Sequence, residues 1–307
     1  MQKITTHLWF DTQAKEASEF YVSLLPESKV NSVNVIKDTP SGDCDIVNFT
    51  LAGQKFMAIS AGPYFKFNPS ISLFVTFENE ADIQTMWDKL SDGGKALMPF
   101  DTYPWAKKYG WVQDKYGLTW QLSLPLSFGE MNETAHRITP LLMYTQGMAG
   151  KTKEAVEFYV GVFSAQGGSR ATGQDSKVDM LVPYEEGEGD IVGYIKHSRF
   201  TLLGQNFMAM DSSGPHEFIF NEAISFIVNC DTQEEIDNYW ELLSADPKAE
   251  QCGWLKDKFG VSWQVVPTVM NDMMGKGTPE QQARLTQAFL QMKKFNIAEL
   301  QKAYSGE

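Results

Sequence analysis

Trp111-Val-Gln-Asp114-Lys115-Tyr-Gly117-Leu-Thr-Trp120-Gln121 decides the fold, because it returns as Trp254-Leu-Lys-Asp257-Lys258-Phe-Gly260-Val-Ser-Trp263-Gln264. The windows agree at Trp, Asp, Lys, Gly, Trp and Gln, and most other positions are like for like. Unrelated windows would share about one position at ordinary residue frequencies. The chain is therefore a duplication. Asp-Lys-aromatic-Gly between apolar runs is a tight turn, in which Gly117 and Gly260 are free to take positive φ. Beyond it the residues alternate. Leu118, Trp120, Leu122 and Leu124 point one way, and Thr119, Gln121 and Ser123 the other. Each copy is thus a hairpin whose second strand has an apolar and a polar face.

Working outward, Ile4 to Phe10 reads as a short strand. Ala14, Ala17, Phe20, Tyr21 and Leu24 form a helical stripe that Pro26 stops. Strands follow near 30–36, 45–51 and 55–60, the last two joined across Ala52-Gly53. A second strand-helix-strands series runs from Ile71, with its helix at 81–90 ended by Gly93-Gly94. The first half is thus two β-α-β-β-β modules, and the second half re-runs the order. Lys153-Glu-Ala-Val-Glu-Phe-Tyr159 matches Lys15-Glu-Ala-Ser-Glu-Phe-Tyr21, and Gly204-Gln-Asn-Phe-Met-Ala209 matches Gly53-Gln-Lys-Phe-Met-Ala58. Leu90 to Gly110 is longer than its counterpart Leu243 to Gly253. The surplus holds Tyr103, Trp105 and Lys107, read as a lid over a cleft. Pro125 to about Arg137 reads as the linker and Glu185 to Asp190 as a solvated acidic loop. Past Pro267 an unmatched tail opens a helix at Thr278-Pro279-Glu280. Its apolar stripe is expected to pack on the body of the protein or on a second subunit.

A chain of 307 residues is expected to form two domains, and its 43% hydrophobic content is enough for packed cores. The net charge of -13 argues against nucleic acid and anionic membranes as partners. Cys44, Cys230 and Cys252 lack metal-ligand spacing and read as reduced thiols of a cytoplasmic protein. No secretory pattern opens the chain, and no apolar run is long enough to span a bilayer.

These words resemble the PhnB-like group, often labelled demethylubiquinone methyltransferase-like, of the vicinal oxygen chelate superfamily. Glyoxalase I, extradiol dioxygenases and bleomycin-resistance proteins share that superfamily. The resemblance is carried by Leu8-Trp-Phe, Glu19-Phe-Tyr21, Gly62-Pro-Tyr-Phe-Lys-Phe67, Ile71-Ser-Leu and Trp120-Gln121. In the second copy it is carried by Gly214-Pro-His-Glu-Phe218, Ile224-Ser-Phe and Trp263-Gln-Val-Val-Pro267. It implies an α+β protein of two tandem glyoxalase-type domains, 1–126 and 135–268. Each is two β-α-β-β-β modules in a cupped mixed sheet, and a helical tail, 269–307, follows. It implies an internal pseudo-dimer, with a homodimer as a further partner.

Active relatives hold a divalent metal with His and carboxylate side chains on strands lining the cup. By strand parity the corresponding faces here hold His7, Trp9, Ser72 and Gln121 in one copy, and Ser225 and Gln264 in the other. Transition metals want imidazole, thiolate or carboxylate donors, so neither a metal nor another cofactor is expected. His197 and Arg199 share a cleft face, and Arg beside His and Gln suits an anionic or polyoxygenated ligand. No strand-to-helix Gly-x-Gly-x-x-Gly loop is present for a nucleotide-like cofactor. The sequence therefore favours small-molecule binding at His7, Trp9, Ser72, Gln121, His197, Arg199, Ser225 and Gln264. Two alternatives stay open, a glyoxalase- or dioxygenase-like enzyme with a divalent metal and the methyltransferase of the group's label. The two clefts are expected to have diverged.

Overall fold

The computed structural model describes residues 2–39, 41–126, 138–165 and 175–307. Most of the expected linker, 127–137, lies outside the described residues. The first copy runs β1 (Ile4–Phe10), α1 (Ala14–Val22), β2 (Lys29–Thr39), β3 (Gly42–Leu51) and β4 (Gln54–Ser60). It continues through β5 (Ile71–Thr76), α2 (Glu80–Ser91), β6 (Lys95–Tyr103), β7 (Ala106–Gln113) and β8 (Thr119–Pro125). The second runs β9 (Ile138–Tyr144), α3 (Thr152–Ala165), β10 (Lys177–Pro183), β11 (Ile195–Leu202) and β12 (Gln205–Asp211). Then come β13 (Ile224–Cys230), α4 (Gln233–Leu243), β14 (Trp254–Lys256) and β15 (Ser262–Pro267). The last module has one strand fewer, because the surplus between Leu90 and Gly110 is not a loose lid. It is the hairpin β6–β7, paired from Lys95↔Gln113 to Tyr103↔Ala106 with register shifts along the way.

The strands make two mixed sheets. Sheet one has seven strands in the order β14-β15-β13-β1-β4-β3-β2; sheet two has eight in the order β10-β11-β12-β9-β5-β8-β7-β6. Each sheet joins the first module of one copy to the second module of the other. The seams are antiparallel, Ile4↔Val228 to Leu8↔Ile224 in sheet one and Ile71↔Leu142 to Val75↔Ile138 in sheet two. The units expected at 1–126 and 135–268 thus contribute one module to each sheet, and the repeat of the sequence is not the unit of the sheet. Crossing loops mark the pseudo-twofold relation. Asn68 Nδ2 donates to the Ile219 carbonyl at 3.0 Å, and Asn221 Nδ2 to the Lys66 carbonyl at 2.8 Å. The two copies form an internal pseudo-dimer.

One face of each sheet carries the helices and the core. Leu8, Val47, Phe49, Leu73, Trp120, Phe200, Phe226 and Trp263 lie there, almost fully removed from water. Trp120 and Trp263 are therefore core residues.

The repeated window supplies a buried carboxylate in each half. Asp114 Oδ2 accepts from Tyr21 Oη and Trp120 Nε1, both at 2.9 Å, and its Oδ1 accepts from the Tyr116 and Leu118 amides. Asp257 repeats this with Tyr159 Oη and Trp263 Nε1, both at 2.8 Å, and the Phe259 and Val261 amides. Gly117 and Gly260 close the turns at φ 92° and 89°, a region a side chain resists. Tyr21 sits on α1, packed on sheet one, and Asp114 sits in the β7–β8 hairpin of sheet two. Each aspartate therefore ties the helix of one sheet to the hairpin of the other.

The tail packs on the body of the chain. Helices α5 (Val269–Lys276), α6 (Pro279–Phe289) and α7 (Ile297–Ser305) bury Met273, Leu285, Phe289, Phe295 and Leu300 in a second core cluster. A capping box between Thr278 and Gln281 starts α6. Ile36 on β2 and Val266 on β15 both pack against this cluster. Among the described residues no helix is long and apolar enough to cross a membrane.

Two outcomes follow from the shared sheets and buried carboxylates. Chains cut within 127–137 should associate one to one on size-exclusion chromatography, since each half holds only one of the two strands of each seam; two monomers as stable as the whole chain would contradict the sheet order. Asp257→Asn turns an amide NH2 toward groups that are all donors. It should cost about 2–4 kcal/mol in urea unfolding, and a cost below about 0.5 kcal/mol would mean these bonds contribute little.

Candidate functional site

The face away from the helices is the inner face of each sheet, and strand register fixes who shares it. In sheet one His7 lies opposite Ser225 on β13 and Met57 on β4, with Asn48 next on β3. Trp254 pairs with Gln264 on the same face. Gln264 Nε2 donates to Ser225 Oγ at 3.0 Å, and Ser225 Oγ lies 3.4 Å from His7 Nδ1. The Trp254 ring meets His7 edge-on at 5.4 Å and Trp9 at 6.0 Å, and Trp9 Nε1 donates to the Gly62 carbonyl.

In sheet two the matching chain begins at Tyr109. Its hydroxyl donates to Gln121 Oε1 at 2.8 Å, and Gln121 Nε2 donates to Ser72 Oγ at 2.8 Å. Burial pushes the Tyr109 phenol up, with the Tyr103 phenol adding to the effect, so it remains a donor. Tyr103 and Trp105, at the tip of the β6–β7 hairpin, stand 5.5 and 6.1 Å from the Tyr109 ring. Trp111 pairs with Gln121 across β7–β8. Leu141 lies opposite Ser72, and Met208, Arg199 and Met180 follow on successive strands of that face. His197 is two residues from Arg199, and burial, then the Arg199 charge, lower its pKa to about 4.

Sequence order groups His7 and Trp9 with Ser72 and Gln121. The structure separates them. His7, Trp9, Ser225 and Gln264 share sheet one, and Ser72, Gln121, His197 and Arg199 share sheet two. The cause is the seam, which pairs β1 with β13 rather than β5. Three inner-face aromatics escaped sequence reasoning: Tyr109, Trp111 and Trp254. The cross-strand pairing of the repeated hairpin was the available signal, because Trp111 and Trp254 sit opposite Gln121 and Gln264.

The residues that the resemblance sets at metal positions do not fit a transition metal. Ser72 and Gln121, like Ser225 and Gln264, are neutral oxygen and amide groups that bond one another. Among the described residues no three of His, Cys, Asp and Glu converge.

A family model described as 3-demethylubiquinone-9 3-methyltransferase matches residues 2–123 and again 136–266. The chain belongs to this family. It carries the family's unit twice. A PhnB protein from Bacillus cereus is 43% identical over 40% of this chain and 99% of its own, with a TM-score of 0.38. A protein from Staphylococcus aureus is 36% identical over 41% of this chain and 97% of its own, with a TM-score of 0.18. Glyoxalase I from Zea mays is 12% identical, covering 88% of this chain and 96% of its own at a TM-score of 0.51. That last likeness shows the glyoxalase fold across both copies. No curated protein matches.

His7 supplies a pH signature. Burial drives its pKa down to about 3, whereas in the unfolded chain it protonates near about 6.5. Acid therefore favours the unfolded chain: stability present above about 6.5 is lost as pH falls through that window. Each unit costs about 1.4 kcal/mol. Asp257 runs oppositely, since burial raises it to about 6, and it cancels when a variant is compared at one pH. Urea unfolding of His7→Gln at pH 7 and pH 5 should show about 2 kcal/mol less acid loss than the parent chain; parallel losses would mean His7 is solvated in the fold.

Proposed function

We propose that this PhnB-like protein binds a small organic molecule on the inner faces of its sheets and does so without a metal. The observation that carries this is the replacement of metal donors by hydrogen-bonded relays. Tyr109-Gln121-Ser72 in sheet two and Gln264-Ser225-His7 in sheet one occupy the strands where the resemblance puts metal ligands. Gln121, bonded through both its oxygen and its nitrogen, has its orientation fixed. It then presents its remaining lone pair and N–H to whatever lies on the face. Half-buried aromatics frame these relays, Trp9 and Trp254 in one sheet and Trp111 in the other. A polar centre inside an aromatic wall suits an oxygen-bearing ring or chain.

The family description names a methyl transfer. That reading would need a site for a nucleotide-like methyl donor, and the sequence carries no strand-to-helix Gly-x-Gly-x-x-Gly turn to hold one. Binding, as in bleomycin-resistance proteins, is the reading the inner faces favour.

The test is a thermal-shift screen of the full chain against metabolites and against Zn²⁺, Ni²⁺, Mn²⁺ and Fe²⁺. A ligand that binds only the folded state raises the midpoint. Purified protein should carry less than about one tenth of an equivalent of any transition metal, given the donor set. Stoichiometric metal by elemental analysis, lost in His7→Ala, would overturn the metal-free reading.

A further inference from the structure

The two inner faces are not equivalent, and the difference lies in charge and cover. Sheet two holds Arg199 where sheet one holds Asn48, since Arg199 pairs with Met208 as Asn48 pairs with Met57. Asn48 is satisfied by Ser32 Oγ at 3.2 Å. Arg199 is not satisfied: its Nε is buried without a partner, and it makes no hydrogen bond or ion pair among the described residues. The carboxylate on the adjoining strand, Asp179, is engaged by Lys177 at 3.0 Å and by the Thr201 hydroxyl at 2.8 Å. The other ionisable group beside Arg199, His197, is held neutral and offers no countercharge. A second buried donor on the same face, Trp111 Nε1, is also without a partner.

A half-buried guanidinium with five donors and no anion is an unfinished interaction. Its surroundings say what would finish it. Arg199 lies between Met180 and Met208, and Met210 and Met143 pair beyond them. Methionine walls are polarizable and adapt to irregular apolar shapes. Sheet one offers the opposite: its face has no arginine, and Ile36 and Val266 at its two sides are already packed against the C-terminal tail.

We propose that the inner face of sheet two is the ligand site, and that it takes an organic anion whose charged group pairs with Arg199 and whose apolar body lies on the methionine wall. This deepens the binding function proposed above and depends on it. The carboxylate, sulfonate or phosphate class follows from the guanidinium, and the apolar body from Met143, Met180, Met208 and Met210.

Two fluorescent probes separate the parts of the claim. 8-Anilino-1-naphthalenesulfonate carries an anion on an aryl body, and N-phenyl-1-naphthylamine carries the same body without the charge. Both are titrated into the full-length chain, Arg199→Gln, Arg199→Lys and Asn48→Ala, with thermal midpoints measured alongside. Both probes should bind the parent chain. Arg199→Gln should weaken the sulfonate at least about tenfold, the scale of a charge-assisted hydrogen bond, and leave the amine within about twofold. Arg199→Lys, which keeps the charge but loses the fork, should weaken the sulfonate less, about threefold. That comparison stands even if the glutamine variant does not fold. Asn48→Ala should change neither. An unchanged sulfonate affinity in Arg199→Gln, equal loss of both probes, or equal loss in Asn48→Ala would overturn the anion site while leaving small-molecule binding standing. Absence of binding by both probes would overturn the binding function as well.

Discussion

A buried carboxylate that accepts four hydrogen bonds is the constraint the rest of this structure depends on. It occurs twice, at Asp114 and Asp257, and each time two donors are local and two are side chains. The local pair shapes the turn. The indole pins the core tryptophan of the following strand, and the phenol arrives from a helix packed on the other sheet. An unpaired buried carboxylate is costly, so the four donors must be present together. Turn, strand and distant helix are thereby made to agree. Burial raises both carboxyls, and the surrounding donors pull the other way. The site is structural, although its strongly perturbed acid would draw attention in a search for catalytic groups.

The seams place the chemistry. Because β1 joins β13 and β9 joins β5, every inner face is assembled from both copies. A residue that drifts in one copy therefore alters a face shared with the other, and His7 is complemented by Ser225 and Gln264 rather than by Ser72 and Gln121. Duplication of a single-copy ancestor gives this arrangement a physical advantage. Two copies on one chain meet at high effective concentration, so the shared sheets are held without an association step.

Once the pair is covalent, the two faces are free to differ. In sheet one the buried imidazole lies within a compact set of polar and aromatic neighbours, and the tail packs across the sides of the sheet. In sheet two the corresponding positions carry a longer hairpin, a methionine-lined stretch and a guanidinium that is unpaired among the described residues. The same backbone register serves both, since Phe49↔Phe56 and Phe200↔Phe207 hold equivalent places in their hairpins. The side chains differ where the pleat points inward, and packing has been kept where it points toward the helices.

The sequence by itself determined the duplication, the modules and the faces. Repeated words reveal a duplication directly, and period-two alternation assigns His7, Gln121, Arg199 and Gln264 to one side of their strands because side-chain direction is a local property. It also determined that the alternating strands carry serine and glutamine at 72, 121, 225 and 264, since residue type needs no coordinates. Only the tertiary structure decided which strands meet at the seams. Ile71-Ser72 and Ile224-Ser225 are alike, so no local signal tells β1 which of the two it joins. That choice regrouped the site residues, setting Ser225 and Gln264 beside His7. The tail behaved likewise: its amphipathic stripe was legible, but the surface it covers lies on strands far away in the chain, and such partners are fixed by packing rather than by pattern.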